Sequence, residues 1–100
     1  MKQAINFSRI NRLALNYLPV LLQRWLPGGK RVCHEYTVRN PTRNDRCSGS
    51  FKINLRTGHW ADFATGDKGG DIISLAAYLF HLTQGQAAHQ IINMLEINNV

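Results

Sequence analysis

Apolar positions in the first third of the chain recur at helical spacing. Ile10, Leu13, Ala14, Tyr17, Leu18, Leu21, Leu22 and Trp25 fall on one face when wound at 3.6 residues per turn. Ser8 is placed to cap the start of that run. Pro19 interrupts it, because proline lacks an N–H and clashes with the preceding turn, so two short helices are predicted, with Pro19 opening the second. Pro27-Gly28-Gly29 ends the helical region. Strict alternation follows. Between residues 33 and 39, Cys33, Glu35, Thr37 and Arg39 take one side, and His34, Tyr36 and Val38 the other. The stretch Asn40-Pro41-Thr42-Arg43-Asn44-Asp45 has turn chemistry. From Ser50 to Leu55 the chain alternates again, with Phe51, Ile53 and Leu55 inward and Ser50, Lys52 and Asn54 outward. Arg56-Thr57-Gly58 predicts a short hairpin loop, and His59 to Phe63 the return strand.

A glycine-rich loop, residues 64–71, ends in Asp71, a good N-cap. Beyond it Ile72, Leu75, Ala76, Leu79 and Phe80 form one helical stripe. Thr83 and Gln86 make a capping box for a last helix, whose apolar face is Ala88, Ile91, Ile92 and Leu95. The pattern predicts an α+β fold: a three-stranded antiparallel sheet flanked by N-terminal helices and two C-terminal helices. With 100 residues, one domain is expected, divided into a helical part (1–29), a β part (30–70) and two helices (71–100).

Charge sharpens this picture. The chain carries 12 Lys/Arg against 6 Asp/Glu, a net +6, and residues 24–56 alone account for that +6. Beyond Asp71 the only ionised side chain is Glu96. A basic block of this kind attracts a polyanion, either nucleic acid or an acidic protein face. Cys33 and Cys47 are too few for a disulfide framework, there is no apolar leader, and no apolar run approaches the ~20 residues of a membrane span. The expectation is a cytoplasmic protein with reduced thiols and no membrane partner.

Candidate chemistry is sparse. Cys33, His34, Cys47, His59 and Asp62 are possible metal ligands, but no Cys-x-x-Cys pair exists and the spacing fits no strong zinc signature. Gly66-Asp67-Lys68-Gly69-Gly70 precedes a helix and could cradle an anion. It lacks the Lys-Ser/Thr ending of a phosphate-binding loop, and Asp67 and Asp71 oppose a phosphate, so it reads as a tight strand-to-helix turn. No nucleophile–base arrangement or carboxylate cluster is present, so neither an enzyme nor a cofactor is expected. What remains is a hairpin with Lys52 and Arg56 outward and Trp60 on the return strand. That arrangement suits a single-strand-binding platform if Trp60 is exposed, and ordinary core packing if it is not.

The stretch Asn40-Pro41-Thr42-Arg43, then Ser50-Phe51-Lys52-Ile53, Trp60-Ala61-Asp62-Phe63 and Gly69-Gly70-Asp71-Ile72-Ile73-Ser74-Leu75 resembles the zinc-ribbon domain of bacterial-type DNA primases, above all that of phage and plasmid primase–helicases. The resemblance covers roughly residues 33 to 82. In that family the first metal-ligand pair is Cys-Pro-x-His and the second Cys-x-x-Cys. Here Asn40 and Arg43 stand at the first pair, and Asp62 and Thr65 at the second. The resemblance therefore implies a zinc-ribbon-like fold without zinc, its two turns held by hydrogen bonds such as one between Arg43 and Asp62. No polymerase or helicase segment is evident.

Carried over from the family, the function implied is that of a stand-alone module of a mobile element that binds single-stranded DNA. Lys52 and Arg56, with Arg43, Arg46 and Lys68 on adjacent loops, would contact phosphates, and Trp60, if exposed, would stack a base. The alternative is a protein-binding regulator or inhibitor of a host replication protein or of a nucleic-acid-guided defence complex, in the manner of an anti-CRISPR protein. Its basic block would dock on an acidic face.

Overall fold

The computed structural model describes residues 6–42 and 49–99, the side chains of 96–99 excepted. Two helices open the chain, α1 (Phe7–Asn16) and α2 (Leu18–Trp25), with Pro19 in the first turn of α2 as its missing N–H requires. Asn6, not Ser8, caps α1: its side chain accepts from the Arg9 N–H at 3.0 Å. Ile10 and Ala14 face the core while Leu13 is exposed, so the buried stripe is narrower than the spacing suggests.

Among the described residues the sheet has five strands rather than the three expected. In order they are β1 (Lys30–Val32), β2 (Glu35–Val38), β3 (Phe51–Asn54), β4 (Trp60–Asp62) and β5 (Lys68–Gly69), all antiparallel neighbours in sequence order. The two additional strands are the sheet's edges. Every residue of β1 is exposed, so no apolar alternation marks it, and β5 is two residues long inside a glycine-rich stretch. Residues 33 and 34, expected to begin a strand, instead form the turn between β1 and β2, with Cys33 at φ 55°. Gly58, at φ 80°, serves the turn between β3 and β4, where Asn54 Oδ1 accepts from the Arg56 and Thr57 N–H groups.

Tyr36, Val38, Phe51, Ile53 and Trp60 lie on one face of the sheet and are buried. Phe51 and Trp60 meet Tyr78 of α3 (Ile72–Phe80), the Tyr36 hydroxyl donates to the Leu26 carbonyl, and α1 and α4 (Gln84–Asn99) complete the helical layer. Asp71 caps α3 through the Ser74 N–H at 2.7 Å, and Thr83 and Gln86 form the expected reciprocal box ahead of α4. One contact was invisible to local pattern. Asn11 of α1 reaches 61 residues along the chain and accepts from the N–H groups of Ile72 and Ile73 at 3.1 and 3.0 Å.

Gly69 is required by packing. The Trp60 indole donates to Ser74 Oγ at 3.0 Å, and a β-carbon at Gly69 would overlap both of those atoms. Gly69→Ala is therefore expected to cost about 1–3 kcal/mol, as overpacking does, and to lower Tm by about 5–15 °C. A thermal melt followed by circular dichroism checks this. An unchanged Tm would mean that Trp60 does not pack where it is described.

Candidate nucleic-acid interface

An antiparallel sheet with helices on one face leaves the other to solvent. Strand pairing aligns the outward residues into cross-strand rows. One row runs Lys30, Thr37, Lys52, Ala61, Lys68, one residue from each strand in turn. Neighbouring strands are about 4.8 Å apart, so each lysine position stands about 10 Å from the next along a line across the sheet. The next row holds Val32, Glu35 and Asn54, and His59 follows, its carbonyl accepting from the Asn54 N–H at 2.7 Å. On the other side of the lysine row, the Phe63 N–H donates to the Ser50 carbonyl at 2.8 Å. A groove of about 590 Å³ lies between Lys52, Ala61, Lys68, His59 and Phe63. Among the described strand residues of this face, Glu35 is the one acid.

Of the residues singled out from sequence, Lys52 and Lys68 come together on this face, Lys68 on a strand rather than a loop. Arg56 is exposed in the β3–β4 turn at its rim. Arg43 and Arg46 lie outside the described residues. Trp60 does not offer a stacking surface. It is 5 % exposed, pairs with Ile53 on the core face, and packs at 4.6 Å from the Tyr78 ring and edge-on to Phe51. The exposed phenylalanine on this face is Phe63, 72 % accessible, with Lys52 Nζ 6.0 Å from its ring centroid. Sequence reasoning missed Phe63 and Lys30. Parity could have found the first: if Trp60 faces the core with Ile53, then Ala61 and Phe63 face out.

The turns where the resemblance places metal ligands are joined through Asn40 and Asp62, both fully buried. Asn40 Nδ2 donates to Asp62 Oδ2 at 2.8 Å and to the Tyr78 hydroxyl at 2.9 Å. Asn40 Oδ1 accepts from the Thr42 N–H at 2.9 Å, and Asp62 Oδ1 from the Ala64 N–H at 2.9 Å. Tyr78 in turn donates to Asp67 Oδ2 at 2.8 Å. This network ties the chain leaving β2, the end of β4 and helix α3. Thr65 is exposed, and its hydroxyl accepts from the Asp67 N–H at 3.2 Å. The donor set does not fit zinc: an amide, a carboxylate already bonded to that amide, a solvent-facing hydroxyl and a guanidinium offer neither thiolate nor imidazole.

Among the described residues no three His, Cys, Asp or Glu side chains converge as a metal site, and no helix is long and apolar enough to cross a membrane. The glycine loop does not present a free helix N-terminus either. The α3 donors at Ile72, Ile73, Ser74 and Leu75 are taken by Asn11 and Asp71. Compared with protein-family models, curated proteins and solved structures, the chain finds no match.

Proposed function

We propose that the chain is a single-stranded-DNA-binding module of the primase zinc-ribbon type, from a mobile element, that grips the phosphate backbone with the open face of its sheet. The observation that carries this reading is the Lys30–Lys52–Lys68 row, three lysine backbone positions aligned across the sheet, with exposed Arg56 in the adjoining turn. The alignment matters because the sheet already holds the backbone, so only the lysine side chains are ordered on binding. A second support is the Asn40–Asp62 bond, which joins the two turns where the resembled family holds its metal. The module acts in the cytoplasm by binding rather than catalysis and uses no cofactor.

Three to four phosphate contacts release counterions in proportion, so log K should fall with log salt at a slope of about −2 to −3 for a single strand. Fluorescence anisotropy of a labelled oligodeoxynucleotide of about 15 nucleotides, titrated over a salt series, measures that slope. A flat response, or no binding at low salt, sinks the reading. An acidic protein partner docked on the same lysines is then the reading left.

A further inference from the structure

We infer that the depression over Ala61 is a receptor for one nucleobase of the bound strand, an inference that rests on the proposed function. Strand β4 and its flanks carry His59, Ala61 and Phe63 at alternate positions, and all three line the groove. Same-face positions are about 6.6 Å apart along a strand, so two flat rings stand about 13 Å apart at their backbones with only a methyl group between them. Across the sheet, the direct partners of Ala61 are Lys52 and Lys68. The smallest side chain on this face is therefore walled by rings along the strand and by ammonium groups across it. Gly70, with no side chain to set against His59, keeps the β5 side low, and Trp60 contributes to the lining.

The chemistry of those walls selects the ligand. Two rings with a gap between them favour a flat π-system, since stacking is sequence-tolerant and every base has a π-face. A lysine on each side favours an anion on each side, which is what an internal nucleotide presents through its 5′ and 3′ phosphates. An aromatic amino acid within a peptide has the ring but not the flanking charges. Glu35, one row away, also lines the groove, and its carboxylate repels phosphate at that end and keeps the backbone on the lysine row. The groove, about 590 Å³, has the size of a small-ligand site.

The test compares a natural single strand with an abasic strand of the same length, which keeps every phosphate and loses every base. The wild-type protein is expected to bind the natural strand about tenfold or more tightly, as one stacked base provides. Ala61→Val fills the depression on a solvent-facing strand position where a β-branched residue is tolerated. Phe63→Ala removes one wall without touching the core. Either variant is expected to bring the natural strand down to the abasic level while leaving the salt slope unchanged. Equal binding of the two strands by the wild-type protein, or natural-strand affinity unaltered in both folded variants, overturns the receptor and leaves phosphate binding standing. Binding of neither strand overturns the receptor and the proposed function together.

Discussion

Asn40→Ala is expected to remove about 3 kcal/mol of stability, more than any other substitution in the buried polar network. Asn40 is fully buried, and its amide serves Asp62, Tyr78 and the Thr42 backbone at once. Deleting it strips a buried carboxylate of a donor and leaves the turn at Pro41–Thr42 without its anchor, and a buried charge that loses a partner is costly. For a domain of this length the loss corresponds to a Tm lower by about 12–20 °C. Asp62→Asn should follow with about 2 kcal/mol. Its two oxygens both accept, from Asn40 Nδ2 and the Ala64 N–H, and an amide in the same place must turn a donor toward one of them. Thr65→Ala should cost less than about 0.5 kcal/mol, since its hydroxyl works at the surface. Thermal melts of the three variants give the ranking. Equal Tm values for Asn40→Ala and wild type would mean that the two turns are not held by this network.

The strands and helices with a buried face were legible because burial on one side writes a period into the sequence. β2, β3, β4, α3 and α4 announced themselves this way. β1 and β5 did not, since an edge strand with both sides wet has no period to show. The hairpin at Cys33 was hidden for a different reason. A two-residue turn usually advertises itself with glycine or asparagine, and here cysteine takes the positive φ. The basic face was legible as a charge excess, yet its organisation was not. The lysine row depends on the register of all five strands, and two of those were missing. The aromatic at the site was misplaced by the same gap, because the parity of Trp60 and Phe63 follows from the pairing of Ile53 with Trp60. The Asn11 cap on α3 and the Asn40–Asp62 bond span 61 and 22 residues, separations at which no local pattern speaks.

Lys52→Ala combined with Lys68→Ala is expected to weaken single-stranded DNA binding about 100-fold at low salt. Both side chains flank Ala61 on the open face, and neither supports the core. The salt slope should become shallower by about 1.4, since each lost phosphate contact removes about 0.7 on a single strand. Exposed arginines on the helical layer are the controls. Arg9→Ala and Arg24→Ala change the net charge by the same amount as the lysine pair but sit on α1 and α2, so affinity should stay near the wild-type value. If the arginine pair lowers affinity as much as the lysine pair, binding follows total charge and not the sheet face.

Amide chemical-shift mapping by NMR, with an unlabelled single strand added at low salt, tests the placement of the interface most directly. The shifts should concentrate at Lys30, Lys52, Asn54, Ala61, Phe63 and Lys68, with α1 and α2 unmoved. Shifts confined to the helical side, or none at any strand concentration, would contradict DNA binding by the open face of the sheet.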